Sequence, residues 1–377
     1  MAYGDISAVL DTQQETWLGS YPSVVRLSDG YVAIVAVNGD TDHGWIYTYS
    51  IDGSGNITAV DSWDFVSSAG TVHIANISGD KYLIAYRSGT TNYIKSLTIS
   101  NVGVITESFI DSLESATNLT YGHLTVTGNS DLCFVQQYTG ELETFTCDSS
   151  GNIGAAILDT ESYADYSDDP VVHLANNYYA LTAADDIYTF SVDGSGIVTP
   201  VDSWDFGNAT YSSLLKVPDT TKYILASQLA DGDVSSLNIS DVGVITKSFI
   251  DTLEYEAPGA GGAHSGPHLT HLGGDYFAVN CKNDDALHST VTTFSCDSDG
   301  EISNAALDTL DYTAAVSHMP SKLAHVSGNL YAGVYYTADG NWELNLKTFT
   351  IKAPQPTPTP GTNPGGDINP YKTRVRS

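Results

Sequence analysis

Seven segments of this chain end in the same Asp-Ser or Asp-Thr pair, and that recurrence constrains its fold more than any other feature. They are "ISAVLDT" (Ile6 to Thr12), "ITAVDS" (Ile57 to Ser62), "ITESFIDS" (Ile105 to Ser112), "IGAAILDT" (Ile153 to Thr160), "VTPVDS" (Val198 to Ser203), "ITKSFIDT" (Ile245 to Thr252) and "ISNAALDT" (Ile302 to Thr309). A period of roughly 50 residues belongs to arrays in which one supersecondary unit is copied along the chain. Six of the segments follow a turn such as Asp52-Gly-Ser-Gly, Asn101-Val-Gly, Asp148-Ser-Ser-Gly or Asp297-Ser-Asp-Gly. Asx and Gly supply the backbone conformations that hairpins need.

Two further strands precede each turn. The first is a short apolar run ("SVVRL", "HIANI", "HLTV", "VVHL", "SLLKV", "HLTHL", "SKLAHV"), and the second follows a polar turn ("YVAIVAV", "YLIAY", "LCFVQQY", "YYALTA", "YILAS", "YFAVN", "LYAGVYY"). Each unit therefore reads as four antiparallel strands, A to D. The last unit, Ser321 to Ile351, has no D strand, and Ile6 to Thr12 is a D strand with no unit before it. Joining the two completes a seventh unit from both chain ends and hides sheet edges that would invite aggregation. Units 1 to 3 also resemble units 4 to 6 in order: "DGSGNITAVDSWDF" at Asp52 is matched by "DGSGIVTPVDSWDF" at Asp193, and "SLTISNVGVITESFIDSLE" by "SLNISDVGVITKSFIDTLE".

On these strands and this closure, residues 1–351 resemble the seven-bladed β-propeller superfamily, an all-β fold with four antiparallel strands per blade. The chain has no WD dipeptide, kelch double glycine or integrin-type calcium repeat, so the resemblance implies architecture and no subfamily. Ser50-Ile-Asp52-Gly-Ser-Gly is similar to a sialidase Asp-box, itself a structural turn, but its tryptophan and spacing depart from that pattern. The repeated Asp-Ser and Asp-Thr endings are read as caps on the loop that follows. Trp63 and Trp204 are expected to pack between blades.

Hydrophobic residues make up 41% of the chain and charged residues 16%, the balance of a folded core. A net charge of −31 disfavours nucleic acid and anionic membrane surfaces as partners. No apolar run reaches the roughly 18 residues of a membrane helix, and Met1-Ala-Tyr-Gly-Asp lacks a secretory signal, so a mature form or a virion component is expected. Cys147 and Cys296 sit at the end of strand C, where other blades carry Ile51, Ile99, Val192, Ile239 and Ile351, an apolar slot that suits free cysteine. An antiparallel hairpin could also place Cys133 opposite Cys147 as a disulfide. Asn56, Asn76, Asn118, Asn208 and Asn238 head glycosylation sequons.

In a propeller strand A lines the central channel, while the D–A and B–C loops share one rim. His73, His123, His173, His268, His271 and His325 lie on strand A, with Arg26 and Lys216 matching the positions of His173, His271 and His325. His43 and His288 fall in B–C loops, and His264 and His318 in D–A loops. Three readings compete: a hydrogen-bonded polar channel, a ligand or anion site, and a metal site. The B–C loops add Asp40, Asp42, Glu141, Asp185, Asp186, Asp231, Asp233, Asp284, Asp285, Asp339 and Glu343. Asp42, Asp233 and Asp285 are candidate ligands for Ca2+ or another divalent cation, or for a sugar; polar hairpins also favour Asp for its turn chemistry alone. A sialidase needs an arginine cluster, whereas residues 1–351 contain only Arg26 and Arg87, and no nucleophile elbow or phosphate loop occurs.

The composition changes at residue 352. Residues 352–370, "KAPQPTPTPGTNPGGDINP", read as an extended Pro/Gly linker, and residues 371–377, "YKTRVRS", as a short basic tail. The tail alternates Tyr371, Thr373, Val375 with Lys372, Arg374, Arg376, a period suited to adding a strand to a partner. Residues 1–351 carry −34 and residues 352–377 carry +3, so another acidic propeller is the expected partner. The sequence thus predicts a non-catalytic propeller on an extracellular surface, appendage, fibre or virion exterior, linked through its tail to copies of itself or to another shell protein. A lectin-like or cation-dependent receptor domain that binds carbohydrate or a cell-surface receptor is the first alternative. A propeller-type hydrolase or lactonase with a metal in the channel is the second.

Overall fold

A computed structural model describes residues 2–16, 18–115, 123–127, 131–136, 140–163, 171–207, 209, 211–227, 232–254, 266–283, 288–312, 317–318, 323–337 and 343–352. Among them the chain forms seven antiparallel sheets: six are built on four consecutive strands in the order A-B-C-D, and the seventh joins the last strands of the chain to the first. Blade 1 holds Leu18–Ser28, Tyr31–Asn38, Gly44–Ile51 and Ile57–Val66. Blade 2 holds Val72–Ser78, Lys81–Ser88, Thr91–Ile99 and Ile105–Ser115, and blades 3 to 6 repeat the plan. Strand B is buried along its length, as Tyr31–Asn38 is, because it lies between neighbouring blades; strand D alternates, as in Ile57–Val66.

The ring closes through both ends of the propeller. Strand Asp11–Thr16 pairs antiparallel with Glu343–Thr350, and Ile6 bridges Ile351. The regular D strand starts at Asp11 and runs past the expected Thr12 to Thr16, because the pairing shifts by two residues between the Ile6–Ile351 bridge and the Asp11–Thr348 pair, which interrupts the ladder before Asp11. Ser317–His318, expected in a D–A loop, pairs with Tyr336 and Thr337 and extends the inner edge of blade 7. Seven apolar clusters form the core, one at each junction between adjacent blades. Trp63 meets Phe109 of the next blade at 4.9 Å between ring centroids, and Trp204 repeats the contact with Phe249 at 4.9 Å.

The repeated Asp-Ser and Asp-Thr endings hold blades together. In all seven blades the aspartate Oδ1 accepts the N–H of the next residue, the local cap expected from sequence. The other oxygen reaches the following blade: Oδ2 of Asp11, Asp61, Asp111, Asp159, Asp202, Asp251 and Asp308 accepts the N–H of Ile57, Ile105, Ile153, Val198, Ile245, Ile302 and Ile6, at 2.7–3.0 Å. A second ring lies beside it. Buried hydroxyls of Thr48, Ser96, Thr144, Thr189, Ser236, Thr293 and Thr348 donate to the carbonyls of Gly103, Gly151, Gly196, Gly243, Gly300, Gly4 and Gly55, at 2.5–2.7 Å. These glycines have φ between +80° and +91°, a region that side chains with a Cβ rarely enter. A hydrogen bond to a charged acceptor contributes roughly 1.5–3 kcal/mol, so the aspartate ring is a substantial share of the inter-blade contact.

Candidate functional site

The strand A residues expected to form one set separate into two tiers. His73, His123 and His268 occupy the end of strand A nearer the B–C loops, pairing with Ala85, Gln136 and Asn280 of strand B. They come from adjacent blades 2 and 3 and from blade 6 across the ring. The His73 and His123 rings are 4.5 Å apart between centroids, and His123 and His268 are 6.4 Å apart. Burial by the channel wall, helped by the nearby His268, pushes the His73 pKa down to about 4. The imidazole of His73 is therefore neutral at pH 7.

The second tier sits beside the A–B turns, and its polar groups hold those turns. His173, His271 and His325 place Nε2 at 2.8–2.9 Å from the carbonyls of Asn176, Gly274 and Gly328, three residues on. Each ring also packs on an aromatic of strand B, namely Tyr179, Phe277 and Tyr331. Burial lowers the pKa of both His271 and His325. Arg26 pairs with Asp29 and lies 3.3 Å from His325 Nδ1, while the Lys216 ammonium donates to the Leu174 carbonyl. Asn76 fills the same place in blade 2 and donates to the Gly79 and Lys81 carbonyls at 3.2 Å. Asn76 stands out in the sequence only as a sequon, but "HIAN" aligned with "HLTH" places it at the position of His271. The same alignment places Ser23 and Ser213 at the position of His73 and His268. Their hydroxyls accept the N–H of Ile74 and Leu269 in the next blade, at 3.4 and 3.1 Å.

On the rim formed by the B–C loops, Asp42 adopts φ +57° and its carbonyl accepts the Ala69 N–H. Beside it, His43 Nδ1 contacts Asp64 Oδ2 at 2.6 Å. Asp233 opens strand C of blade 5 and lies opposite Ser227 and Glu254. Asp186 accepts a hydrogen bond from the Tyr188 hydroxyl at 3.0 Å, and burial raises its pKa. Among the described residues no group of three or more His, Cys, Asp or Glu side chains is arranged to hold a metal ion. Asp231, Asp284, Asp285, Asp339 and His264 lie outside the described residues.

The cysteines are free and buried. Cys133 lies opposite Phe145, two residues short of Cys147, and such a diagonal pair is too widely spaced for a disulfide. Burial pushes the Cys147 and Cys296 thiols up to about 12. Of the sequons, Asn56 is exposed, with its amide on Asp52 at 2.7 Å, Asn76 is enclosed in an A–B turn, and Asn238 accepts from the Thr221 hydroxyl at 2.8 Å. Asn118 and Asn208 lie outside the described residues, as does the 371–377 segment with Tyr371, Lys372, Arg374, Val375 and Arg376.

Strand order, closure and blade count define a seven-bladed β-propeller. No family model matches the chain, and no curated protein matches it. Among solved structures it is similar to the crystal structure of a protein from Lactobacillus plantarum, with a TM-score of 0.62 and 14% sequence identity. That similarity covers 87% of this chain and 97% of the other, and at this identity it speaks for the fold alone. No helix of the described residues is long and apolar enough to cross a membrane.

Proposed function

We propose that this chain is a non-catalytic propeller displayed on an extracellular surface, appendage or virion exterior, joined to neighbouring copies through residues 371–377. The observation that carries this reading is the pair of unbroken inter-blade rings, which tie all seven blades into one closed body that the chain leaves at one defined point. There the Lys352 N–H donates to the Asp5 carbonyl at 3.0 Å and the Lys352 carbonyl accepts the Gly4 N–H at 2.7 Å. Rigid bodies joined by flexible connectors gain strength from repetition, because weak contacts add as avidity. Sedimentation of the full chain and of a form ending at Lys352 tests the reading. The full chain should assemble and the shorter form remain a folded monomer, with assembly weakened by high salt. Equal assembly of both forms would refute it.

A second reading has its own observation: imidazoles of two adjacent blades and of one across the ring converge in the channel, a place where small ligands bind in concave sites. A lectin-like or ligand-binding role at that mouth predicts that His123→Ala abolishes binding of a hit from a glycan array. A hit whose affinity is unchanged in that variant removes the channel from consideration.

A further inference from the structure

The rim opposite the channel histidines is formed by the A–B and C–D turns, and it carries two matching apolar surfaces. In blade 2 the turn Ser100-Asn101-Val102-Gly103-Val104 exposes Val102 and Val104, at 54% and 55%. In blade 5 Ser240-Asp241-Val242-Gly243-Val244 exposes Val242 and Val244, at 52% and 54%. Blades 1, 3, 4 and 6 have Ser54, Ser150, Ser195 and Asp299 where these turns carry Val102 and Val242. Neither valine pair stands alone. Val60 of blade 1 lies 3.3 Å from where a Cβ on Gly103 would sit, and Val201 of blade 4 lies 3.3 Å from the same point on Gly243. Val60 and Val201 are each 39% exposed. Leu10, Ile110, Leu158, Ile250 and Leu307 hold the same place at the other five junctions and Ile197 matches Val104 in blade 4, so it is the paired turn valines that make matching three-valine knobs at the 1–2 and 4–5 junctions. Each flanks the outermost strand of its sheet, whose free edge can accept another strand.

We infer that these knobs receive the Tyr371–Ser377 segment of a second copy of this chain, an inference that rests on the tail-linked assembly proposed above. Three observations select that occupant. The chain leaves the body at Lys352, held by Gly4 and Asp5 where blade 7 has two chain ends in place of a C–D turn, on the same rim as the knobs. The rim carries Asp52, Asp148, Asp193, Asp241 and Asp297, which suit Lys372, Arg374 and Arg376; hydrogen bonds from the Asn56 and Asn152 side chains hold Asp52 and Asp148 below the usual carboxylate range. Alternation of Tyr371, Thr373 and Val375 with the three cations matches an extended strand that sets apolar side chains on valine and charges toward carboxylates. The occupant comes from another copy because Pro354, Pro356, Pro358 and Pro360 alternate immediately after the exit. A composition of this kind favours an extended spacer, and 18 residues, from 353 to 370, are long enough at up to roughly 60 Å to reach another copy.

The test uses full-length variants and sedimentation at low salt, with thermal unfolding as a control for folding. A knob variant carries V104D and V244D; a tail variant carries K372E, R374E and R376E. Wild type should assemble, each variant alone should associate at least about tenfold more weakly, and an equimolar mixture should recover partial association, since one supplies tails and the other knobs. A knob variant that assembles like wild type while the tail variant does not would overturn the docking site and leave the tail reading intact. Wild-type assembly in both variants, or a monomeric wild type, would overturn both. Loss of association in both variants with no recovery on mixing would overturn docking between copies.

Discussion

Removing one blade clasp should weaken the ring by an amount that the local geometry sets. In Asp61→Ala two acceptors disappear. The Ser62 N–H, on the exposed outer strand, can turn to water, but the Ile105 N–H, 2.8 Å from Asp61 Oδ2, belongs to a residue only 5% exposed. An orphaned buried donor costs about 1–3 kcal/mol, so a loss of about 2 kcal/mol is expected. Thr48→Val keeps the shape and strips the hydroxyl that donates to the Gly103 carbonyl at 2.6 Å, for about 1 kcal/mol. Both bonds grip the same turn, residues 100–105, from the preceding blade. Once one is lost the turn can move, and the second bond holds less. The double variant should therefore lose about 0.5–1 kcal/mol less than the sum of the singles. Urea unfolding followed by tryptophan fluorescence measures all four corners of the cycle. A loss below about 0.5 kcal/mol for Asp61→Ala, or strict additivity, would refute the idea of a two-point clasp.

Three other outcomes are expected. Gly103→Ala should destabilise by about 1–3 kcal/mol, since φ is +83° and a Cβ would lie 3.2 Å from Thr48 Oγ1, whereas Gly53→Ala, with nothing within 4 Å, should be near neutral in the same assay. Because the folded His73 pKa of about 4 lies below the unfolded value near 6.5, the unfolded chain binds the extra proton, and stability should fall as pH drops from about 6.5 toward 4 by up to about 3 kcal/mol. His73→Asn should flatten that part of the pH profile; a profile that matches wild type shows that this imidazole is not buried as described. Deleting residues 1–15 removes the outer strand of blade 7 and the partners of Asp308 and Thr293, so the product should aggregate or unfold without cooperativity in a calorimetric scan. A soluble deletion product with the wild-type melting profile would contradict closure by both ends.

The fold was legible because its strongest signals are local and repeated: turn chemistry, alternation and a D-strand ending written seven times. What the ending does was only half legible. Asp61 caps Ser62, as its sequence neighbour suggests, but its other oxygen serves Ile105, 44 residues away, and no local pattern announces a bond between blades. The channel histidines were legible as strand A residues, yet their division was hidden by a three-residue offset. His268 and His271 share a strand, but the register shifts by a bulge just after His271, which accompanies the turn that its ring binds. Cys133 and Cys147 illustrate the limit of counting along a hairpin: a two-residue slip in register turns a facing pair into a diagonal one.

The duplicated block has a geometric consequence of its own. Equivalent points in blades 2 and 5 are three steps apart on a ring of seven, which is roughly 150° one way and 210° the other, never a half turn. Two valine knobs of one composition are therefore related by a rotation about the ring axis that is not a two-fold. A partner with dyad symmetry can seat on one knob but cannot reach both in the same way. Whatever bridges the two must be a flexible chain or a second body of unequal arms, so the odd blade that closes the ring also denies its two knobs an exact dyad.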